Sequence, residues 1–195
     1  MIVAAARHAF LDKGYAATSM STIAAALGGS KGTLWAYFPS KEELFAAVLD
    51  DVTAAFRQNL DDALQPDRDC RTTLLDFCER FSRKLTDPDS IRLHRLIVGE
   101  GGRFPEIGRI FYARGPQMVL DRLSTYLATC MATGALRQDD PLRAAMVLVQ
   151  LNKLHQQMRM WNVADIPDPA AVRAQAENAL EIFMRAFAPE PPQAG

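Results

Sequence analysis

The chain has little of what secreted, membrane or metal-binding proteins require. Its three cysteines in 195 residues are too few and oddly numbered for a disulfide framework. The three histidines lack metal-ligand spacing, and no His-Glu-x-x-His or paired-cysteine segment occurs. Apolar runs are short, and the start lacks the basic region and apolar core of a secretory signal. We therefore expect a globular cytoplasmic protein with reduced thiols and with no metal or cofactor.

An excess of charge is also missing, since the formal net charge is −1. In residues 1–50, four basic side chains are balanced by four acidic ones: Arg7, Lys13, Lys31 and Lys41 against Asp12, Glu42, Glu43 and Asp50. This balance argues against a strong nonspecific nucleic-acid binder. It leaves room for a specific dimer in which a few cations, helix N-termini and hydroxyl groups contact phosphates.

Convincing β-strand patterns are absent as well, whereas apolar residues recur every three or four positions along most of the chain. The pattern predicts an all-α fold of about nine helices. One helix is expected from Phe104-Pro105 to Gly134, with an interruption at Gly115-Pro116, and another from Asp140-Pro141 through His155. The last helix shows apolar residues at helical spacing: Val172, Ala176, Leu180, Phe183 and Phe187.

The segment from Thr18 to Phe45 carries the strongest local pattern. Its first part predicts a short helix with Ser19 or Ser21 as the N-cap. Gly28 and Gly29 can adopt left-handed backbone angles that would strain other residues, so the chain can reverse sharply after this helix. The pattern therefore predicts a tight glycine turn before the next helix.

The helix after this turn is predicted to present an exposed face. Ser30 caps it, and Leu34 and Phe38 lie four residues apart and pack inward. Ser40 and Glu43 then form a capping box at the start of a longer helix. Two short helices joined by a glycine turn are typical of a DNA-reading helix-turn-helix, although helical hairpins with no nucleic-acid role share this outline.

Residues 2–45 resemble the N-terminal domain of the TetR family of transcriptional regulators. The matching residues keep a fixed spacing over the whole segment: Ile2, Ala6, Phe10, Gly14-Tyr15, Thr18, Ile23-Ala24, Gly28, Ser30, Gly32-Thr33-Leu34, Tyr37-Phe38, Ser40-Lys41-Glu42 and Leu44-Phe45. Residues 65–195 resemble the C-terminal domain of the family more loosely, chiefly through Arg95–Ile107 and Gly134–Ala145.

The resemblance implies a two-domain transcriptional regulator. Residues 1–45 would form a three-helix DNA-binding domain, residues 46–188 a helical ligand-binding and dimerisation domain, and residues 189–195 a disordered tail. The expected function is that of a homodimeric repressor on a pseudo-palindromic operator, released by a small, mainly hydrophobic ligand. Ligand-driven movement of the helices would change the separation of the two recognition helices and lower DNA affinity.

Two helices are expected to form the dimer interface. They run from about Pro141 to Gln157 and from Pro169 to Phe187, and their apolar positions exceed what one face of a single bundle needs. Replacement of Phe183 by Asp is predicted to give monomers with little operator affinity.

The resemblance also assigns the DNA-binding residues: Thr18, Ser30, Lys31, Gly32, Thr33, Trp35, Tyr37 and Lys41. Lys31 and Thr33 are expected at base edges. Thr18, Tyr37 and Lys41 would hold phosphates, as their counterparts do in the family.

Three features depart from the family pattern. Gly29 stands where a small apolar side chain, often valine, packs under the recognition helix, so a looser turn is expected. Trp35 replaces a more usual tyrosine but keeps an aromatic body and one N–H donor, and it would pack on a sugar or a thymine methyl group. Family members commonly have a basic stretch before the first helix, whereas this chain begins almost directly at Ile2; the arm is absent or the start site is misassigned.

The second half is rich in aromatic and methionine residues that suit a small hydrophobic ligand. The residues predicted to line such a pocket are Phe81, His94, Phe111, Met118, Tyr126 and Trp161. The alternative for each of them is ordinary core packing.

Two other functions fit parts of the sequence. A DNA-binding scaffold without a small-molecule switch would have a filled C-terminal core and many DNA sites. An α-helical enzyme or carrier would have a pocket with converging titratable groups and no DNA affinity. Gly99–Arg103 is not a phosphate loop, because no strand precedes it and the Lys-Ser/Thr pair is missing; a helix terminus with a flexible corner is expected there.

Overall fold

The computed structural model describes residues 1–28, 31–65 and 67–189, with the side chains of Lys31 and Thr33 left out. Eleven α-helices and no β-strand are found in these ranges. The helices are α1 Ile2–Lys13, α2 Met20–Ala26, α3 Lys31–Tyr37, α4 Lys41–Ala63, α5 Cys70–Thr86, α6 Pro88–Glu100, α7 Pro105–Arg114, α8 Pro116–Ala132, α9 Pro141–Leu151, α10 Leu154–Met160 and α11 Pro169–Phe187. The predicted all-α class is confirmed.

The helix count exceeds the expected nine because two predicted helices are each divided in two. The interruption expected at Gly115-Pro116 separates α7 from α8, since Pro116 has no N–H to donate and disfavours helical angles at the residue before it. The second break, at Asn152-Lys153, was not predicted. There the Asn152 amide donates to the Leu148 carbonyl at 2.8 Å and ends α9.

The first compact unit, unit 1, comprises residues 1–55 and 88–117. In it α1 packs against α2 and α6, α2 against α3, and α6 against α7. Its core holds an aromatic group in which the Phe10, Tyr15 and Phe45 rings lie 5.2–5.7 Å apart, centroid to centroid. This core supports the two short helices of the predicted helix-turn-helix.

The second compact unit, unit 2, comprises residues 56–87 and 118–195, of which 66 and 190–195 lie outside the described ranges. Here α11 packs against α5 and α9, and α10 packs against α5. The core is a single apolar cluster that includes Phe77, Leu123, Leu148 and Phe183. The predicted domain boundary at residue 45 stays a prediction, and most of the predicted disordered tail lies outside the described residues.

Cys70, Cys78 and Cys130 are buried free thiols. None of the described helices is long and apolar enough to cross a membrane. Over the same residues, no three or more His, Cys, Asp or Glu side chains are grouped so that they could hold a metal ion.

Candidate nucleic-acid interface

Helix α2 begins at a complete capping box. The Ser19 side chain accepts a hydrogen bond from the Thr22 N–H at 3.1 Å, and the Thr22 hydroxyl accepts one from the Ser19 N–H at 3.0 Å. Two N–H groups that α2 leaves unpaired are thereby satisfied. Of the two predicted N-caps, Ser19 is the one that is used, and it fixes where α2 starts.

The turn after α2 uses a left-handed residue as predicted. Gly28 has φ +65°, a value that costs glycine little and strains residues with a side chain. The predictions for Gly29, including the looser turn, and for the Ser30 cap lie outside the described residues. The chain then enters α3.

Helix α3 presents one buried and one exposed face. Leu34 is buried, and Phe38, just after α3, packs against the same core. Trp35 is exposed, and 69% of Tyr37 is accessible. Gly32 is exposed as well. This exposed surface carries two aromatic side chains, and Gly32 has no side chain that would keep DNA away from the backbone. Base edges and phosphates can therefore approach α3 closely, which suits it to enter a DNA groove.

Ser40 directly precedes helix α4, and its hydroxyl accepts a hydrogen bond from the Glu43 N–H at 3.1 Å. The first residue of α4, Lys41, is half-buried. Its ammonium lies 3.8 Å above the centroid of the Tyr15 ring and donates to the Tyr15 carbonyl. Burial lowers the pKa of Lys41, while the negative charges of Glu100, Glu42 and Glu106 act to raise it. Lys41 is therefore held within unit 1.

Thr18 is also held inside the unit, with 2% of its surface exposed. Its hydroxyl lies within hydrogen-bond distance of the Gly14 carbonyl, at 2.7 Å, and of the Ala9 carbonyl, at 3.1 Å. Ala9 lies near the last turn of α1 and Gly14 is its C-cap, so Thr18 ties the C-terminal part of α1 to the start of α2. The phosphate contacts assigned to Thr18 and Lys41 stay predictions, and in this conformation both groups serve internal contacts.

The eight predicted DNA-binding residues thus fall into three groups. Gly32, Trp35 and Tyr37 are exposed positions of α3, with Trp35 and Tyr37 on opposite flanks of its exposed surface. Thr18 and Lys41 make internal hydrogen bonds to the Gly14 and Tyr15 carbonyls. Ser30 lies outside the described residues, as do the side chains of Lys31 and Thr33.

Comparison with known proteins identifies this arrangement. Residues 2–48 match the model of the bacterial regulatory proteins of the tetR family. Residues 72–189 match the C-terminal domain of AefR-like transcriptional repressors, a TetR-type domain. The chain belongs to the TetR family. It is accordingly a DNA-binding transcriptional regulator, and membership of this family points away from an enzyme.

Individual TetR-family proteins resemble the chain over most of its length. The flavonoid-responsive regulator FrrA is 32% identical, with a TM-score of 0.79 over 97% of this chain and 96% of FrrA. A TetR-family transcriptional regulator of Pseudomonas syringae pv. tomato is 30% identical, with a TM-score of 0.77 over 96% and 95% of the two chains. The uncharacterized HTH-type transcriptional regulator YhgD of Bacillus subtilis is 27% identical over 156 residues, which are 77% of this chain and 78% of YhgD.

The residues predicted to line a ligand pocket in this TetR-family chain do not share one unit. Unit 2 contains Phe81, Met118 and Tyr126, which belong to or pack against its core cluster. Phe81 stacks on Phe77 with 5.5 Å between ring centroids. Such packing is what the core alternative predicts for Phe81.

The other three predicted ligand residues lie outside this core cluster, and only Trp161 of them belongs to unit 2. His94 and Phe111 belong to unit 1, where their rings meet edge to face at 5.0 Å. Trp161 follows α10 and is 68% exposed. The sequence could not show that these residues lie in different parts of the fold. Helical periodicity indicates which face of a helix is buried, but it does not indicate which other helix that face contacts.

A groove of about 480 Å³ in unit 2 includes one of the predicted residues, Tyr126. Its other lining residues come from the end of α4 and from α8: Asp61, Leu64, Asp121, Arg122, Thr125 and Thr129. Arg122 donates to Asp61 at 2.6 Å across one side. Tyr126 is only 5% exposed, and burial raises the pKa of its phenol, whose hydroxyl interacts with the buried Thr73 and Cys130 side chains.

Sequence reasoning missed one residue next to the DNA-reading helices. Glu100, the last residue of α6, accepts hydrogen bonds from the backbone N–H groups of Tyr15 and Ala16. For the segment Gly99–Arg103, the sequence predicts only a helix terminus followed by a flexible corner. A carboxylate 85 positions from its partner in the chain leaves no local signal in the sequence.

Proposed function

We propose that this TetR-family regulator is a homodimeric repressor that binds a pseudo-palindromic operator through α3 and is released by a small aromatic ligand. The observation that carries the DNA-binding part is the exposed face of α3, on which Trp35 and Tyr37 stand clear of a core that holds Leu34. In a dimer, two such helices must lie about 34 Å apart, or a multiple of that, to enter successive major grooves. The match to AefR-like repressors supports repression over activation.

The ligand class is supported by chemistry as well as by similarity. FrrA is named a flavonoid-responsive regulator, and flavonoids are flat aromatic molecules with hydroxyl and carbonyl groups. The groove in unit 2 offers Leu64 for apolar contact and the Arg122 guanidinium, whose N–H groups also hold Asp61, as a donor to a carbonyl oxygen. We place the ligand against this groove.

The DNA-binding role of α3 is tested with a labelled duplex of about 30 base pairs selected by the protein from a random pool, long enough for two half-sites. Tyr37→Phe removes one exposed hydroxyl and should weaken binding to every sequence roughly three- to tenfold, because one phosphate hydrogen bond is lost. Fluorescence anisotropy measures the affinity. Tyr112→Phe is the matched control, since Tyr112 is an exposed tyrosine of α7 in the same unit. Equal affinities for the Tyr37→Phe and unmodified proteins would show that the Tyr37 hydroxyl makes no contact with DNA.

The switch is tested by calorimetric titration of a flavone into the free protein and into its complex with the same duplex. A ligand that releases DNA must bind the complex more weakly, by the factor by which it weakens DNA binding. Arg122→Gln should weaken flavone binding severalfold, because it removes the charged donor in the groove. Equal flavone affinities in the two states would leave a regulator, or a DNA-binding scaffold, without this switch.

A further inference from the structure

The chain between α1 and α2 is gripped by a carboxylate from the far end of α6. Glu100 Oε1 accepts a hydrogen bond from the Tyr15 N–H at 2.9 Å, and Glu100 Oε2 accepts one from the Ala16 N–H at 2.6 Å. Both carboxylate oxygens are therefore engaged by adjacent backbone donors. Hydrogen bonds to a charged acceptor are shorter and stronger than neutral ones.

The residue before these donors is shaped to admit the carboxylate. Gly14 has φ +86°, and a Cβ at this position would overlap Glu100 Oε1. Any side chain at this position would displace Glu100 as well as strain the backbone. The Gly14 carbonyl in turn accepts the hydrogen bond from Thr18, next to the Ser19 cap of α2.

The same turn is held from the opposite direction by α4. Lys41 donates to the Tyr15 carbonyl, while the Tyr15 N–H donates to Glu100. The peptide groups on the two sides of Tyr15 are thus tied to the first residue of α4 and to the last residue of α6. A rotation of the turn would break both contacts.

Helix α6 is also fastened to α1 at its other end. Arg7 of α1 donates to Asp89 at 3.0 Å, and Arg92 donates to Asp12 of α1 at 3.0 Å. With Glu100 at the C-terminal end, α6 has polar contacts with α1 or its following turn at both ends. The position of the turn that leads into α2 is therefore coupled to the position of α6.

We propose that Glu100 is a positioning residue for DNA binding: it sets the start of α2, and through α2 the orientation of α3, without contacting DNA. Only Ala17, Thr18 and the Ser19 cap separate Tyr15-Ala16 from α2, and α2 packs directly on α3. Freed from Glu100, the turn would sample other conformations, and α3 would pay an ordering cost when it enters the groove. The proposal rests on the DNA-binding role of the family and not on the ligand switch.

The direction in which Glu100→Gln changes the DNA affinity tests this proposal. The variant removes a negative charge, and electrostatics toward DNA alone would raise affinity. A positioning residue predicts the opposite, an affinity about tenfold lower for the selected duplex, because an amide offers one oxygen and would set its NH2 group against a backbone N–H. Glu106→Gln is the matched control: its carboxylate also acts on Lys41 by charge, but the turn N–H groups donate to Glu100.

Two spectroscopic measurements keep the test independent of variant stability. In the unmodified protein the Ala16 amide should exchange with solvent at least tenfold more slowly than that of Ala17, which finds no acceptor among the described residues although both are exposed. In Glu100→Gln, the Tyr15 and Ala16 amide proton resonances should move upfield while those of the Leu34 region keep their folded dispersion.

Each outcome bears on the proposal. Lower affinity in Glu100→Gln, unchanged affinity in Glu106→Gln and loss of Ala16 protection support it. Unchanged or higher affinity in Glu100→Gln overturns it, as does an equal loss in Glu106→Gln or an unprotected Ala16 in the unmodified protein. Failure of the unmodified protein to select any duplex would instead contradict the DNA-binding role itself.

Discussion

Asp89 is the carboxylate at which two arginines meet in unit 1. Arg7 donates to it at 3.0 Å from the side of α1, and Arg92 donates to it from the next turn of α6. Burial of Asp89 acts to raise its pKa, but the hydrogen bonds from Arg7 and Arg92 outweigh burial and lower it. The charged form of Asp89 is thus favoured in the folded protein.

This shift gives stability a defined dependence on pH. Because the folded pKa of Asp89 lies below its unfolded value of about 3.9, its contribution is fully present above that value and is lost as pH falls through the folded pKa. Asp89→Asn should reduce the free energy of unfolding by about 1–2 kcal/mol near neutral pH, since the side chain is only 19% exposed and two charged hydrogen bonds are weakened. Urea unfolding at about pH 7 and about pH 3 measures the difference, which should shrink at the lower pH.

The control for Asp89 is Glu106→Gln, which removes another carboxylate of unit 1. It should leave a free energy of unfolding within about 0.5 kcal/mol of the unmodified value. An Asp89→Asn penalty that stays constant from neutral to acid pH would show that the loss comes from packing and not from the ionised carboxylate.

At the scale of helices, α3 is the part that the sequence determines best. Spacing of four residues placed Leu34 and Phe38 inward and left Trp35 and Tyr37 outward, and the structure agrees. The outcome follows from the period of an α-helix and needs no knowledge of neighbouring helices. The positive φ of Gly28 is local in the same way, because a tight turn requires it.

Helix α9 shows where local patterns are insufficient. Leu148, Leu151 and His155 follow one apolar line, which predicted an unbroken helix through position 155. The structure ends α9 at Leu151, because Asn152 is buried and its side chain donates to the Leu148 carbonyl and accepts from Ser82 at 3.2 Å. Ser82 is 70 positions away in the chain. The cause of the break is thus partly a tertiary contact that periodicity does not contain.

The internal hydrogen bonds of Thr18 and Glu100 in unit 1 were not predicted, for the same reason. A threonine before a helix is equally suited to a phosphate contact or an internal hydrogen bond, and the sequence pattern does not show that carbonyls of Ala9 and Gly14 lie within reach of its hydroxyl. Glu100 is selected by two N–H groups that the chain brings to it from the other end of unit 1. Element type is encoded locally, whereas the partner of a polar group is encoded by the fold.

For the whole molecule, large apolar side chains are exposed mainly on the last third of the chain. They lie on α9, α10 and α11 or between them: Leu142, Met146, Val147, Leu154, Trp161, Val163, Ile166 and Ile182. Helices α9 and α11 pack together, so their exposed residues belong to neighbouring surfaces. Extended exposed apolar surface marks interaction sites, which supports dimerisation through the predicted helices.

Phe183, whose replacement by Asp the sequence pattern predicts to give monomers, is not on that surface. Phe183 is fully buried and stacks on Phe187 with 4.7 Å between ring centroids. Phe183→Asp would bury an unpaired charge in the core of unit 2. We therefore expect this variant to unfold, which circular dichroism would report as lost helix content, and its monomeric state would say nothing about the interface.

Met146→Glu combined with Ile182→Glu is the informative variant, since both side chains are exposed on α9 and α11. A stable dimer buries about 1,200 Å² or more of surface. The variant would bury two unpaired carboxylates of each protomer in this interface, and the cost of desolvating them should convert the dimer to monomers at micromolar concentration. Sedimentation equilibrium measures the mass, and circular dichroism should show unchanged helix content. The monomer should also lose most operator affinity, because a single α3 contacts one half-site. Val98→Glu is the control, since Val98 is 73% exposed on α6 and lies outside the proposed interface; a dimer that survives Met146→Glu with Ile182→Glu would place the interface elsewhere.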